Sequence, residues 1–83
     1  MVDYVKLLGQ NVRRVRAEAG LSQEALALEL GIDRTYISGI ERGVRNPSIK
    51  IIVALAERLN SSPAELLSVP PNSAAGEAPK PAE

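Results

Sequence analysis

Arg34, Thr35 and Ser38, with Gly39 beside them, are the residues whose types and spacing point to chemistry. In a helix these positions share one face, and none carries an apolar side chain that has to be hidden. An arginine fork can donate two hydrogen bonds to guanine O6 and N7, a contact worth about 1–3 kcal/mol of discrimination. Thr35 offers a hydroxyl and a methyl, suited to a base edge or a thymine methyl, and Ser38 can reach a base or a phosphate. Gly39 costs a helix interior about 1 kcal/mol relative to alanine. Either its missing side chain lets the helix sit deep in a groove, or it is tolerated there by chance. Just downstream, Val44-Arg45-Asn46-Pro47 brings a cation and an amide to a place where Arg45 and Asn46 can clamp a phosphate. Tyr36 has an apolar body and a donor tip, so it can pack on the domain edge and bond a phosphate.

Other chemistries lack their residues. The 83 residues include no cysteine and no histidine, so the usual zinc, haem and iron–sulfur ligand sets are missing and no disulfide can form. A serine or cysteine nucleophile activated by histidine is impossible for the same reason. Glu24 and Glu29, or Asp33 and Glu41, read as caps, exposed charges or an ion pair, so no enzyme, metal or cofactor is expected. No run of about 18 apolar residues and no charged-then-apolar leader is present, and the expectation is a cytoplasmic chain. Net charge is zero, but residues 1 to 68 hold nine of the ten basic and eight of the ten acidic residues and stand near +1. A nucleic-acid partner then depends on whether the cations converge on one face.

The positioning elements are legible from their punctuation. A first helix is expected from about Tyr4 to Ala19, capped by Asp3, with Leu8, Val12, Val15 and Ala19 as its apolar stripe and Gly20 as its stop. The second runs from Gln23 to Leu30, capped by Ser22 and stopped at Gly31, with Leu21 and Leu26 as a hydrophobic staple. The third runs from Arg34 to Arg42 between Asp33 and Gly43, with Ile32 and Ile37 repeating the staple and Ile40 extending the buried face. The fourth runs from Ile49 to about Asn60 after Ser48, with Ile49, Ile52, Leu55, Ala56 and Leu59 facing inward. Ser62-Pro63-Ala64-Glu65 has capping-box spacing and starts a short fifth helix closed by Leu66 and Leu67. No segment alternates with period two, so the domain, residues 1–68, is expected to be all-α. Residues 69–83 hold four of the six prolines and read as a disordered tail.

Only Gly31, Ile32 and Asp33 separate helices two and three, which forces a steep crossing. Ala27 is small where the two must approach. Such a pair can lay its second helix in the major groove of DNA. From Gln23 to Arg42 the chain resembles the helix-turn-helix of the phage-repressor-like (Xre-type) transcription regulators. Asp33-Arg34-Thr35-Tyr36-Ile37-Ser38-Gly39-Ile40-Glu41-Arg42-Gly43 is most similar to the controller proteins of restriction–modification systems. The resemblance extends over nearly all of residues 4 to 67 and implies a compact five-helix, lambda-repressor-like domain.

It further implies that Ser22 and Gln23, at the start of helix two, meet a backbone phosphate, where free amides and the helix dipole favour an anion. It implies an ion pair between Arg16 and Glu41 that fixes the angle of the reading helix. Arg13 and Arg14 read as solvated. One short helix reads too few base pairs to define a genomic site, so a homodimer on a palindromic operator is expected. Surplus apolar residues at Ile51, Val53, Leu66 and Leu67 are the candidate interface. The functional expectation is a sequence-specific transcription regulator that controls its own operon by its concentration, with no small-molecule ligand. The alternatives are a plain phage or host repressor, or an antitoxin whose proline-rich tail binds a toxin.

Overall fold

The computed structural model describes residues 1–69. Its helices are α1 (Tyr4–Glu18), α2 (Gln23–Leu30), α3 (Arg34–Glu41), α4 (Ile49–Arg58) and α5 (Pro63–Leu66), with no strand among the described residues. The expected tail lies outside them, apart from Val69.

Each helix starts where a side chain satisfies an orphan amide. Asp3 Oδ1 accepts from the Val5 and Lys6 amides at 3.2 Å, Ser22 Oγ from Ala25 at 3.0 Å and Ser62 Oγ from Glu65 at 3.1 Å. Ser48 Oγ does the same for Ile51 at 3.3 Å. Three helices end sooner than their apolar pattern suggests, the first of them α1, which stops at Glu18 with Ala19 as its C-cap. Helix α3 gives way at Arg42, and α4 at Leu59 followed by Asn60, whose φ of 57° is left-handed backbone that asparagine tolerates.

The core is aliphatic. Leu8, Val12, Leu26, Ile37, Ile40 and Leu55 are buried at its centre, with Leu21 and Ile32 packed on its edge as the two staples require. Three expectations from the apolar pattern need correction. Ile49 is 70 % exposed, because it is the first residue of α4 and its side chain tilts back past the end of the packed face. Ala19 is exposed beyond the last turn of α1. Leu66 is fully buried in the core and cannot serve as an interface residue, because the single turn of α5 points it inward.

Two residues of α1 set its docking. At Gly9 a Cβ would overlap the Ile40 carbonyl oxygen and lie 2.9 Å from that of Glu41, so α1 crosses the end of α3 backbone to backbone. Asn11 is fully buried. Its Nδ2 donates to the carbonyls of Leu66 at 2.7 Å and Ser68 at 2.8 Å, which holds α5 against α1. Arg14, expected to be solvated, is half-buried and donates to Asn11 Oδ1 at 3.2 Å.

Candidate nucleic-acid interface

The turn between α2 and α3 is built from backbone. Gly31 has φ 69°, which allows the Ile32 amide to bond the Ala27 carbonyl at 3.0 Å and close α2. Asp33 then opens α3. Its Oδ1 accepts from the Thr35 amide at 2.8 Å and from the Thr35 hydroxyl at 2.6 Å. The Thr35 hydroxyl, and after it the amide, hold the Asp33 carboxyl below the usual carboxylate range. With its proton committed to Asp33, Thr35 faces outward as a methyl and an acceptor.

Arg34 and Thr35 are exposed on the outer face of α3, as the sequence suggests, and Ser38 is half-buried. Arg42, four residues on, donates from Nε to Ser38 Oγ at 3.3 Å and so covers it. Arg42 marks the helix end in the sequence, and its i,i+4 spacing from Ser38 is the signal for this contact. Gly39 is buried. A Cβ there would lie 2.5 Å from Arg45 Cγ, so the space left by the missing side chain is occupied by the arginine stem. Neither a bare backbone facing a groove nor idle tolerance describes it. Tyr36 is half-buried against the core edge, and the Arg45 guanidinium stands 5.7 Å from its ring centroid.

A chain of hydrogen bonds runs from the outer face to the interior. Arg34 Nη1 donates to Gln23 Oε1 at 3.1 Å, and Gln23 Nε2 donates to Glu41 Oε1 at 3.0 Å. Glu41 accepts twice from Arg16, at 2.5 Å from Nε and 2.9 Å from Nη2, while Arg16 Nη1 donates to the Leu21 carbonyl at 2.7 Å. The side chains of this pair are 14 % and 4 % exposed. The Glu41 hydrogen bond raises the pKa of Arg16 despite its partial desolvation, so its charge is permanent. Because Arg16 comes from α1 and Glu41 from the end of α3, the pair fixes one helix on the other. Gln23, expected at a phosphate, bridges this pair to Arg34. Arg16, Ser22, Gln23, Glu24 and Arg34 together line an open depression at the start of α2. Arg34 is the exposed cation there, since Arg16 is already paired with Glu41, and Glu24 stands beside it as an opposing charge. Arg45 and Asn46 are exposed at the far end of α3, above a buried Pro47.

Two short helices joined by a three-residue turn, the second with an open polar face flanked by cations, define a helix-turn-helix DNA-binding domain. A profile of the family described as Helix-turn-helix (HTH_3) matches residues 12–66, and the chain belongs to that family. It is a DNA-binding transcription regulator of the Xre type. Over 69 residues the chain is 45% identical to control protein C.BamHI of Bacillus amyloliquefaciens, spanning 81% of this chain and 85% of that protein. Control protein C.SmaI of Serratia marcescens is 42% identical over 67 residues, with 81% and 80% covered. The fold superposes on the restriction-modification controller protein C.AhdI from Aeromonas hydrophila with a TM-score of 0.71 at 47% identity, over 75% of this chain and 94% of that one.

Proposed function

We propose that this regulator is a controller protein: a cytoplasmic homodimer, without enzymatic activity, that reads a palindromic operator with α3 and governs its own operon. The observation that carries the reading is the outer face of α3, where Arg34 and Thr35 stand exposed with no apolar group to hide. Arg34 would exchange its Gln23 acceptor for guanine O6 and N7. Thr35 supplies a methyl and an acceptor to the next base pair, with Ser38 reached after Arg42 moves aside. The depression at Ser22 and Gln23 seats one phosphate, while Tyr36 and the Arg45–Asn46 loop flank the strand at the other end.

Dimerisation is supported by surface left apolar. Ile49 and Val53, four residues apart on α4, are 70 % and 36 % exposed, and Ile51 and Leu67 are half-buried. Two copies about a two-fold axis can place their reading helices in half-sites about 34–36 Å apart. Occupancy then follows the concentration of the protein through the dimer equilibrium, and no small-molecule ligand is required.

The test is a fluorescence-anisotropy titration of the purified chain onto the DNA upstream of its own gene, with excess random competitor at two salt concentrations. The expected result is competitor-resistant binding that weakens with salt and is lost in Arg34→Ala. Binding no tighter than to random duplex would overturn self-regulation. Equal binding by Arg34→Ala would overturn reading by α3.

A further inference from the structure

We propose that Glu29 and Arg58 are a positioning pair that sets which spacing between half-sites the dimer accepts, without touching DNA. The proposal rests on the reading above, in which α3 reads bases and α4 carries the dimer surface. Spacing is then decided by the angle between α4 and the reading pair formed by α2 and α3. Helix α3 packs chiefly on α1 and α2, whereas α4 meets the reading pair more sparsely, along α2. Among the described residues, Glu29 and Arg58 make the only side-chain hydrogen bonds between α4 and that pair.

The geometry suits a lock on angle. Arg58 donates from Nε to Glu29 Oε1 and from Nη2 to Oε2 at 3.1 Å, so two planar groups are joined at two points. Arg58 ends α4 and Ile49 begins it, roughly 14 Å away along the axis. The chain itself ties the start of α4 to α3 through residues 42–48, and the ion pair ties its far end to α2. The apolar core between these ties resists separation, but apolar contact is non-directional and lets the helices turn on one another. One base pair more between half-sites moves them apart by about 3.4 Å and turns one against the other by about a tenth of a turn. Following that change strains the lock in both protomers.

The two side chains are 38 % and 42 % exposed, so the pair adds little to folding. Exposed pairs of this kind change an equilibrium by a factor of about 1.5 to 5, and a dimer carries two of them. Opening both to accept the wrong spacing therefore accounts for a preference of about threefold to tenfold. The same weakness separates this role from a structural one. Losing the pair should leave the thermal midpoint almost unchanged while the choice of spacing is lost.

The experiment takes the full chain through selection from a randomised duplex library. It then measures affinity for the selected duplex, for its single-base-pair variants, and for duplexes with one base pair added to or removed from the spacer. Glu29→Gln and Arg58→Gln change net charge in opposite senses, an effect that acts on all spacers alike and cancels in the ratio. Both are expected to lower the preference for the parent spacing by about threefold to tenfold. Both should keep the parent single-base-pair preferences and a thermal midpoint within a few degrees of the parent. The exchanged pair, Glu29→Arg/Arg58→Glu, should regain most of the spacing preference. The proposal is overturned if the parent accepts all three spacers alike, if either single variant keeps the parent ratio, or if the exchanged pair does no better than the singles. It is also overturned if spacing and single-base-pair preferences fall together, the mark of general loosening. A parent that enriches no sequence would refute reading by α3, and one that enriches a lone half-site would refute the dimer. Both failures are distinct from a paired site whose spacing the single variants choose as strictly as the parent.

Discussion

Replacing Glu41 with leucine removes three hydrogen bonds at once and leaves Arg16 charged, its side chain 14 % exposed, with the Leu21 carbonyl as its remaining acceptor. Stranding one partner of a buried pair costs about 3–5 kcal/mol. The Leu21 bond and the open edge of the guanidinium place the expected loss for Glu41→Leu near the lower figure, about 3 kcal/mol. A domain of this size has a total stability of roughly 3–10 kcal/mol, so the variant sits near its unfolding threshold. With a urea m-value of about 1 kcal/mol/M, the midpoint should fall by about 3 M. The double variant Arg16→Met/Glu41→Leu replaces both charges by apolar groups and should recover to within about 1 kcal/mol of the parent. It should nevertheless bind DNA less well, since Gln23 loses its acceptor and α1 no longer pins the end of α3. Urea unfolding of the parent, both single variants and the double variant decides the matter. A loss below about 1 kcal/mol in Glu41→Leu, or a double variant no better than the worse single one, would refute the reasoning.

Three further outcomes are expected. Gly9→Ala should destabilise by about 1–3 kcal/mol through overpacking against the Ile40 and Glu41 carbonyls, outweighing the helix preference of alanine, and any gain in urea midpoint would contradict the backbone crossing. Leu66→Ala should cost about 2–5 kcal/mol at every protein concentration, whereas a deficit that disappears at high concentration would return the residue to an interface. Asp33 titrates below the usual range when folded, so its stabilising effect is complete above the ordinary carboxylate pKa of about 4 and is lost as pH falls through the depressed value. Thermal midpoints of Asp33→Asn should therefore decline less than those of the parent below about pH 4, and parallel curves would contradict the assigned role of Thr35.

Helix boundaries were legible because serine, aspartate and glycine announce them through local hydrogen bonds, which depend little on the rest of the fold. The exposure of Arg34 and Thr35 on α3 was legible for a related reason: polar residues at helical spacing have no use for a core. Errors came where tertiary packing decides. Ile49 has the same residue type as Ile52, but it stands one turn beyond the elements that cover α4. Leu66 and Leu67 are adjacent leucines, and only the docking of a one-turn helix determines which is buried. Asn11 falls between Leu8 and Val15 on the apolar stripe of α1, a position where a polar group implies buried partners, but which partners only the docking of α5 decides. The burial of Gly39 has no local signal, because its neighbour in space, Arg45, belongs to a loop whose path no sequence pattern records.

Asn11 has a consequence for how long the folded molecule lasts. It joins α1 to carbonyls 55 and 57 residues further along the chain, whereas α2 and α3 meet across a three-residue turn. Closing the larger loop loses more chain entropy, so this latch is expected to form late, after the reading pair is in place. Interactions absent from the folding transition state slow opening without speeding assembly. Weakening the latch, as in Asn11→Ala, should raise the unfolding rate and leave the folding rate almost unchanged. In a cell, more frequent opening of α5 exposes the chain to proteases. If the regulator acts through its own abundance, as proposed, the buried Asn11 amide then sets the half-life of the signal.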